Sequence, residues 1–127
     1  MLISDDTLDT AAEIDGVHHR LYRAIDRLEP IITNGVNEDA VMRAIHLLYA
    51  RMERHFTVEE DLAEVNAPAA CPALKADHGK LLAILWQMSI VPVDDGATRT
   101  RMLRQFEAAL TRHDRDLDGP LFSATFH

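Results

Sequence analysis

The chain has 127 residues, 47% of them hydrophobic, which is enough for one domain with its own core. Its formal net charge is −8, so we expect neither nucleic acid nor an anionic membrane as a partner, because both bind clustered lysine and arginine. One cysteine cannot form an internal disulfide, and no apolar run approaches the ~20 residues of a membrane-spanning helix. The acidic start also lacks the pattern of a signal peptide. These features predict a single cytoplasmic domain over residues 1–127.

Apolar residues recur at spacings of three and four in four stretches, which is the pattern of amphipathic helices. Asn34 and Gly35 end the first stretch, unless Pro30 stops it one turn earlier. Asn37 is a suitable N-cap for the second stretch, and Pro72 suits the first turn of the third. The predicted helices cover about residues 9–32, 37–66, 72–91 and 97–118.

Four amphipathic helices with short connections pack most readily as an antiparallel up-down-up-down four-helix bundle. The heptad-like spacing of the apolar residues favours shallow crossing angles between the helices. The sequence offers little support for β-structure. We therefore predict an all-α fold.

One histidine lies on the apolar stripe of each predicted helix. These residues are His18, His55, His78 and His113. A rise of ~1.5 Å per residue places all four in one layer toward one end of the bundle. A buried imidazole without a partner costs roughly 1–3 kcal/mol. Four imidazoles that converge with the carboxylates of Glu59 and Asp118 therefore indicate a cation between them.

The chemistry of this ligand set favours two metal ions over one. Four imidazoles and two carboxylates exceed the four ligands of a closed zinc site. Two imidazoles on each metal, with two bridging carboxylates, leave coordination positions open. A mixed nitrogen and oxygen set with open positions suits iron or manganese.

The histidines and carboxylates also resemble those of a known family, the hemerythrins, which are non-heme di-iron proteins. The matching segments are Ile14-Asp15-x-x-His18, His55-Phe56-x-x-Glu59-Glu60, His78 and His113-x-x-x-x-Asp118. The resemblance implies that His18 and His55 hold one iron and that His78 and His113 hold the other. It also implies that Glu59, Asp118 and an oxo or hydroxo group bridge the two irons as an Fe–O–Fe or Fe–OH–Fe centre, with manganese as a possible replacement. In that family such centres bind O2 reversibly or sense it.

The chain departs from the family pattern at one position of the third predicted helix. The family carries His-x-x-x-His there, whereas this chain has Leu74-x-x-x-His78. Leucine cannot coordinate a metal, so the resemblance implies that one metal has a coordination position without a histidine. Water or a carboxylate that binds through both oxygens would fill this position. Cys71, one turn earlier, is an alternative ligand if the helix start unwinds, and weak binding or loss of one metal is another outcome.

The spacing between His113 and Asp118 is unusual for two ligands on one helix. Five residues on a regular α-helix separate two side chains by about 140°. We therefore expect a widened turn or a helix end at this point. Asp116 is the alternative with ordinary geometry, but the family's spacing and the nearby Gly119 favour Asp118.

The other polar and aromatic candidates are not expected to bind a metal directly. Asp15 and Glu60 are expected either on the surface or orienting a ligand imidazole. His19, His46, His127 and the arginine-rich segment 99–104 are expected to be solvated. The core is expected to contain Tyr22, Tyr49, Phe56, Trp86 and Phe106.

Two functions remain open at this point. The first is a di-iron protein that binds O2, or another small diatomic molecule or peroxide, for storage, delivery or sensing, with no catalytic residue. The second is a di-iron or di-manganese enzyme that activates O2 or peroxide as an oxidase, peroxidase or ferroxidase. We prefer the first, because an apolar bundle offers no obvious substrate pocket. The vacancy implied by Leu74 supports the second, because it would let a reductant or peroxide reach both metals.

Overall fold

The computed structural model describes residues 20–118, and for Asp118 the backbone only. Within this range every regular element is helical. Helix α1 extends from residue 20, where the described chain begins, to residue 34. The later elements are α2 (Glu38–Asn66), a 3-10 turn (Pro68–Ala70), α3 (Cys71–Ser89), α4 (Gly96–His113) and a π-helical turn (Asp114–Asp118). Among these helices none is long and apolar enough to cross a membrane.

The helices begin and end largely where their terminal residues predict. The side chain of Asn37 accepts a hydrogen bond from the N–H of Ala40 at 3.1 Å and caps α2. Pro72 lies in the first turn of α3, where a missing N–H costs nothing. The prediction that Pro30 could stop the first helix is wrong, because α1 continues to residue 34. Gly35 then allows the close approach to α2 that ends α1, since a Cβ atom there would lie 2.7 Å from Cγ2 of Val41.

Contacts between α1 and the last helix show that these two helices run antiparallel. On α1, Tyr22 donates a hydrogen bond to Asp114, and Glu29 forms an ion pair with Arg104, so positions rise on α1 as they fall on α4. Helix α3 packs against both α2 and α4. The prediction of an all-α bundle with up-down-up-down order is confirmed for the described residues.

One apolar core fills the bundle and takes residues from all four helices. Its members include Leu21, Ile25, Ile32, Ile45, Leu48, Met52, Phe56, Leu81, Leu85, Leu103, Phe106 and Leu110. Phe56 and Phe106 lie in the core as predicted. Trp86 does not, since it is 58% exposed, and Tyr22 is also exposed. Both follow a core leucine directly, and a step of about 100° carries them off the buried stripe.

Arg99 is buried, although its arginine-rich segment was expected to be solvated. It is 1% exposed near the start of α4. Its guanidinium donates hydrogen bonds to the carbonyl oxygens of Ile32, Gly35, Pro92 and Val93, at 2.7, 3.3, 2.9 and 2.8 Å. The carbonyl groups at the end of α1 and in the α3–α4 connection have no hydrogen-bond partner within a helix. The guanidinium of arginine carries five N–H donors and can bond to several of these carbonyls at once. This network closes the end of the bundle opposite the histidines.

Candidate metal centre

Three histidines and one glutamate converge in the buried interior of the bundle. His55 and Glu59 come from α2, His78 from α3 and His113 from α4, and all four are buried. Oε1 of Glu59 lies 3.3 Å from Nε2 of His55, 3.2 Å from Nε2 of His78 and 3.8 Å from Nε2 of His113. The Nε2 atoms of His78 and His113 are 3.2 Å apart.

Helical geometry accounts for this convergence. His55 and Glu59 are four residues apart, so they share one face of α2. His78 lies seven residues into α3 and His113 is the last residue of α4, which places both near the same end of an antiparallel bundle. The ring of Phe56 stacks on the ring of His78, with centroids 3.9 Å apart and planes at 10°. This stacking restricts the orientation of His78.

The nitrogen atoms on the outer side of two rings contact carboxylates. Nδ1 of His78 lies 2.7 Å from Oε2 of Glu60, and Nδ1 of His113 lies 2.6 Å from Oδ2 of Asp77. Both carboxylates are partly exposed, whereas both imidazoles are buried. The Nε2 atoms are therefore the ones that face the interior cluster.

The spacing of the cluster fits a metal ion. Glu59, His78 and His113 each offer a ligand atom, and these atoms lie within 4.8 Å of one another. Two imidazole nitrogens at about 2.1 Å from one metal and at right angles would be about 3 Å apart. The 3.2 Å separation of the two Nε2 atoms is close to that value. Two imidazoles and a carboxylate also form a mixed set that divalent transition metals accept.

The structure brings together four of the six predicted ligands. These are His55, Glu59, His78 and His113. His18 precedes residue 20 and lies outside the described residues, as do Asp15, His19 and His127. For Asp118, only the backbone position is described. The ligand roles of His18 and Asp118 stay predictions.

The widened turn expected after His113 is present. Residues Asp114–Asp118 form a π-helical turn. A π-helix closes its hydrogen bonds between residues i and i+5, so a spacing of five corresponds to about one turn. Asp116, the alternative ligand, has a side chain that is 59% exposed and hydrogen-bonds to Arg115 at 2.8 Å. That hydrogen bond lowers the pKa of Asp116. The geometry of this end of the bundle thus favours Asp118 over Asp116.

An apolar cluster surrounds the position where a third-helix ligand would be expected. Leu74 is buried one turn before His78 and packs with Ala63, Cys71 and Leu117. The thiol of Cys71 lies 3.8 Å from the carbonyl oxygen of Glu60. Helix α3 already begins at Cys71, so its start is not unwound as the thiol alternative requires. The structure gives no support to Cys71 as a replacement ligand.

Asp77 is the residue of this site that the sequence analysis missed. It directly precedes His78, and a step of about 100° on α3 turns it toward α4. An acidic residue beside a buried histidine was the available signal. The partner that Asp77 contacts is His113, on another helix, and periodicity within α3 does not identify it.

Comparisons with curated proteins and with solved structures yield no match. A family comparison does: the hemerythrin HHE cation-binding domain matches residues 9–124. That range covers most of the chain and includes all six predicted ligands. The buried cluster of imidazoles and carboxylate is the kind of site that a cation-binding domain requires. The chain therefore belongs to the hemerythrin HHE cation-binding family and is a metal-binding helical protein.

Proposed function

We propose that the protein holds two iron ions in the layer of its six predicted ligands and binds O2 there, for storage, delivery or sensing. The observation that supports this most is the approach of three imidazoles, from three helices, to one carboxylate oxygen of Glu59. His78, His113 and Glu59 form one compact set, and His55 approaches the same carboxylate. A carboxylate shared in this way suits a bridge between two metal ions.

The surroundings of the cluster favour iron with an open coordination position. The donors are imidazole nitrogen and carboxylate oxygen, without thiolate, which suits iron or manganese better than a closed zinc site. Phe56 stacks on the ring of His78, and Leu74 is buried one turn before that histidine, so both lie on the apolar interior side of the bundle. Iron bound here would supply the redox chemistry and the open coordination position that O2 binding needs.

Anaerobic reconstitution with Fe2+ tests this proposal. We expect close to two iron ions per chain, an absorption band that appears on exposure to O2, and loss of that band when O2 is removed. Protein loaded with Zn2+ is the control, because zinc has no redox chemistry. One tightly bound zinc in a closed tetrahedral site, with no uptake of iron, would contradict the di-iron proposal. Irreversible oxidation of the iron would contradict reversible O2 binding.

A second candidate function is an enzyme that activates O2 or peroxide. Leu74 favours it, because an apolar side chain at that position leaves one metal with one ligand fewer. Reduction of H2O2 to two molecules of water consumes two electrons and two protons, so turnover requires an external reductant. Many cycles of peroxide consumption per chain with a dye as electron donor would support the enzyme over the carrier.

A further inference from the structure

We infer that Glu60 and Asp77 are positioning residues, which fix the proton of His78 and His113 on Nδ1 and so turn the lone pair of each Nε2 toward the metal. The two Nδ1 atoms lie 2.7 and 2.6 Å from carboxylate oxygens of Glu60 and Asp77. The inference rests on the proposed role of the two histidines as ligands. It does not depend on the identity of the metal or on O2.

The direction of these hydrogen bonds follows from the chemistry of the groups. A carboxylate offers acceptors only, so Nδ1 of each imidazole has to be the donor. A neutral imidazole carries a single N–H, and Nε2 is then a lone pair. The two Nε2 atoms lie 3.2 Å apart, beside Oε1 of Glu59. Three acceptors at this distance repel one another unless a proton or a metal cation lies between them.

The two pairs form a crosswise pattern over three helices. Glu60 lies next to Glu59 on α2 but holds His78 on α3. Asp77 lies next to His78 on α3 but holds His113 on α4. The orientation of each imidazole is thus set from the preceding helix. Carboxylates that hold the outer nitrogen of a ligand histidine commonly account for roughly 10–100-fold in metal affinity.

Both carboxylates can be removed without opening the core. The side chains of Glu60 and Asp77 are 25% and 33% exposed. A groove of about 520 Å³ between α3 and α4 brings solvent to the carboxylate of Asp77. Glu60→Ala and Asp77→Ala should therefore fold, which thermal unfolding checks. The matched controls are Glu64→Ala and Asp61→Ala, at exposed positions of α2.

Nitrogen NMR of the imidazoles in the metal-free protein, at a pH high enough to keep the rings neutral, gives the first measurement. In the wild type we expect both His78 and His113 to show the signal pattern of a ring protonated at Nδ1. Asp77→Ala should abolish that pattern for His113 and keep it for His78, and Glu60→Ala should do the reverse. Asp77→Asn should keep the pattern, because the amide oxygen still accepts a hydrogen bond. A purely structural role would not move a tautomer signal one ring at a time.

Titration with Co2+ alone gives the second measurement, with the visible bands of the bound ion as the signal. We expect each alanine variant to bind Co2+ roughly 10–100-fold more weakly than its control, with Asp77→Asn between the two. Equal affinity of Asp77→Ala and Asp61→Ala, and of Glu60→Ala and Glu64→Ala, would overturn the inference. Unchanged tautomer signals in the two alanine variants would overturn it as well.

These outcomes are separable from failure of the proposed function. Wild-type protein that binds Co2+ but does not take up two iron ions would contradict the di-iron proposal, and the variant series would still decide the role of Glu60 and Asp77. Wild-type protein that binds neither Co2+ nor Fe2+ would overturn both. Weakened Co2+ binding in the alanine variants, together with reversible O2 binding by the wild type, would support both.

Discussion

Glu59 is the residue on which the centre depends most. Its side chain is fully buried, and Oε1 lies near the imidazoles of His55, His78 and His113. Burying a carboxylate is costly unless hydrogen bonds or a cation compensate. A buried carboxylate among three imidazoles is therefore well placed to hold a cation together with them.

Replacing this charged side chain by a neutral one of the same size separates its effect on metal binding from its effect on stability. Glu59→Gln keeps the size of the side chain, and we expect it to weaken Co2+ binding by roughly tenfold or more, since the carboxylate is lost from the centre of the site. The metal-free variant should be at least as stable as the wild type, because an amide costs less to bury than a carboxylate. Metal analysis and thermal unfolding with and without Co2+ measure both effects. Glu53→Gln, exposed on the same helix, is the control, and equal metal content in the two variants would contradict the assignment.

Leu74 distinguishes the two candidate functions. Leu74→His places an imidazole one turn before His78 on the same face of α3. In an O2 carrier the added ligand should slow oxidation of the iron, whereas in an enzyme it should suppress peroxide turnover with metal content retained. Rates of O2 dissociation and peroxide decay, at matched iron content, decide between these results.

Leu74→Met is the matched control for this substitution, because it keeps an apolar side chain of similar volume. A profile unchanged in both assays, with the new imidazole turned away from the metals in a structure of the variant, would show that Leu74 does not occupy a ligand position.

The residues of this site differ in how far the sequence could predict them. His55, Glu59, His78 and His113 were predictable because helical periodicity alone places them on buried faces. Asp77 was not, because its partner belongs to another helix, and the height and rotation of that helix decide whether a charged side chain meets water or a polar group. The buried position of Arg99 depends in the same way on carbonyls from α1 and the α3–α4 connection.

At the scale of elements, the π-helical turn shows that ligand spacing can carry structural information. A spacing of five between two ligands is incompatible with one face of an α-helix, and this predicted the widened turn of Asp114–Asp118. Contacts with other helices hold the turn in place. Tyr22 on α1 donates a hydrogen bond to Asp114, and Leu117 packs on the apolar cluster around Leu74. The turn is thus fixed at the end of the bundle where the metal centre lies.

The carboxylate of Asp95 caps the start of α4, and because this group titrates, its contribution to the stability of the fold depends on pH. Hydrogen bonds from the side chain and the backbone N–H of Thr98 lower the pKa of Asp95 below its usual 3.8. A lowered pKa in the folded state means that the stabilisation is complete above the unfolded value and is lost as the pH falls through the folded value. We expect Asp95→Ala to have a lower melting temperature than the wild type at pH 7. In acid the two melting temperatures should become similar.

Metal-free protein should be used for this comparison, because the histidine ligands also bind protons in acid. Asp95→Asn is the matched variant, since asparagine caps a helix about as well as aspartate and does not titrate. Thermal unfolding from pH 7 to pH 2 measures the three proteins. A difference between wild type and Asp95→Ala that stays constant over this range would contradict a role for the carboxylate charge.

At the scale of the whole molecule, the two ends of the bundle have separate functions. One end holds the buried histidines and Glu59, and the other holds Arg99 with its four carbonyl acceptors. The core between them is continuous and apolar. A substitution at the Arg99 end should therefore lower the free energy of unfolding without changing the geometry of the metal ligands.

Arg99→Met tests this separation, because it keeps an apolar stem and removes every guanidinium hydrogen bond. We expect a loss of about 3 kcal/mol in the free energy of unfolding, since buried carbonyls lose charged donors. The affinity for Co2+ should stay unchanged, so Co2+ at 100 times its dissociation constant should stabilise both proteins equally, by about 2.7 kcal/mol for each ion bound. Urea unfolding with and without Co2+ measures both quantities.

Arg101→Met, exposed on the same helix, is the control. A fall in Co2+ affinity as large as that of Glu59→Gln would show instead that the two ends are coupled through the core.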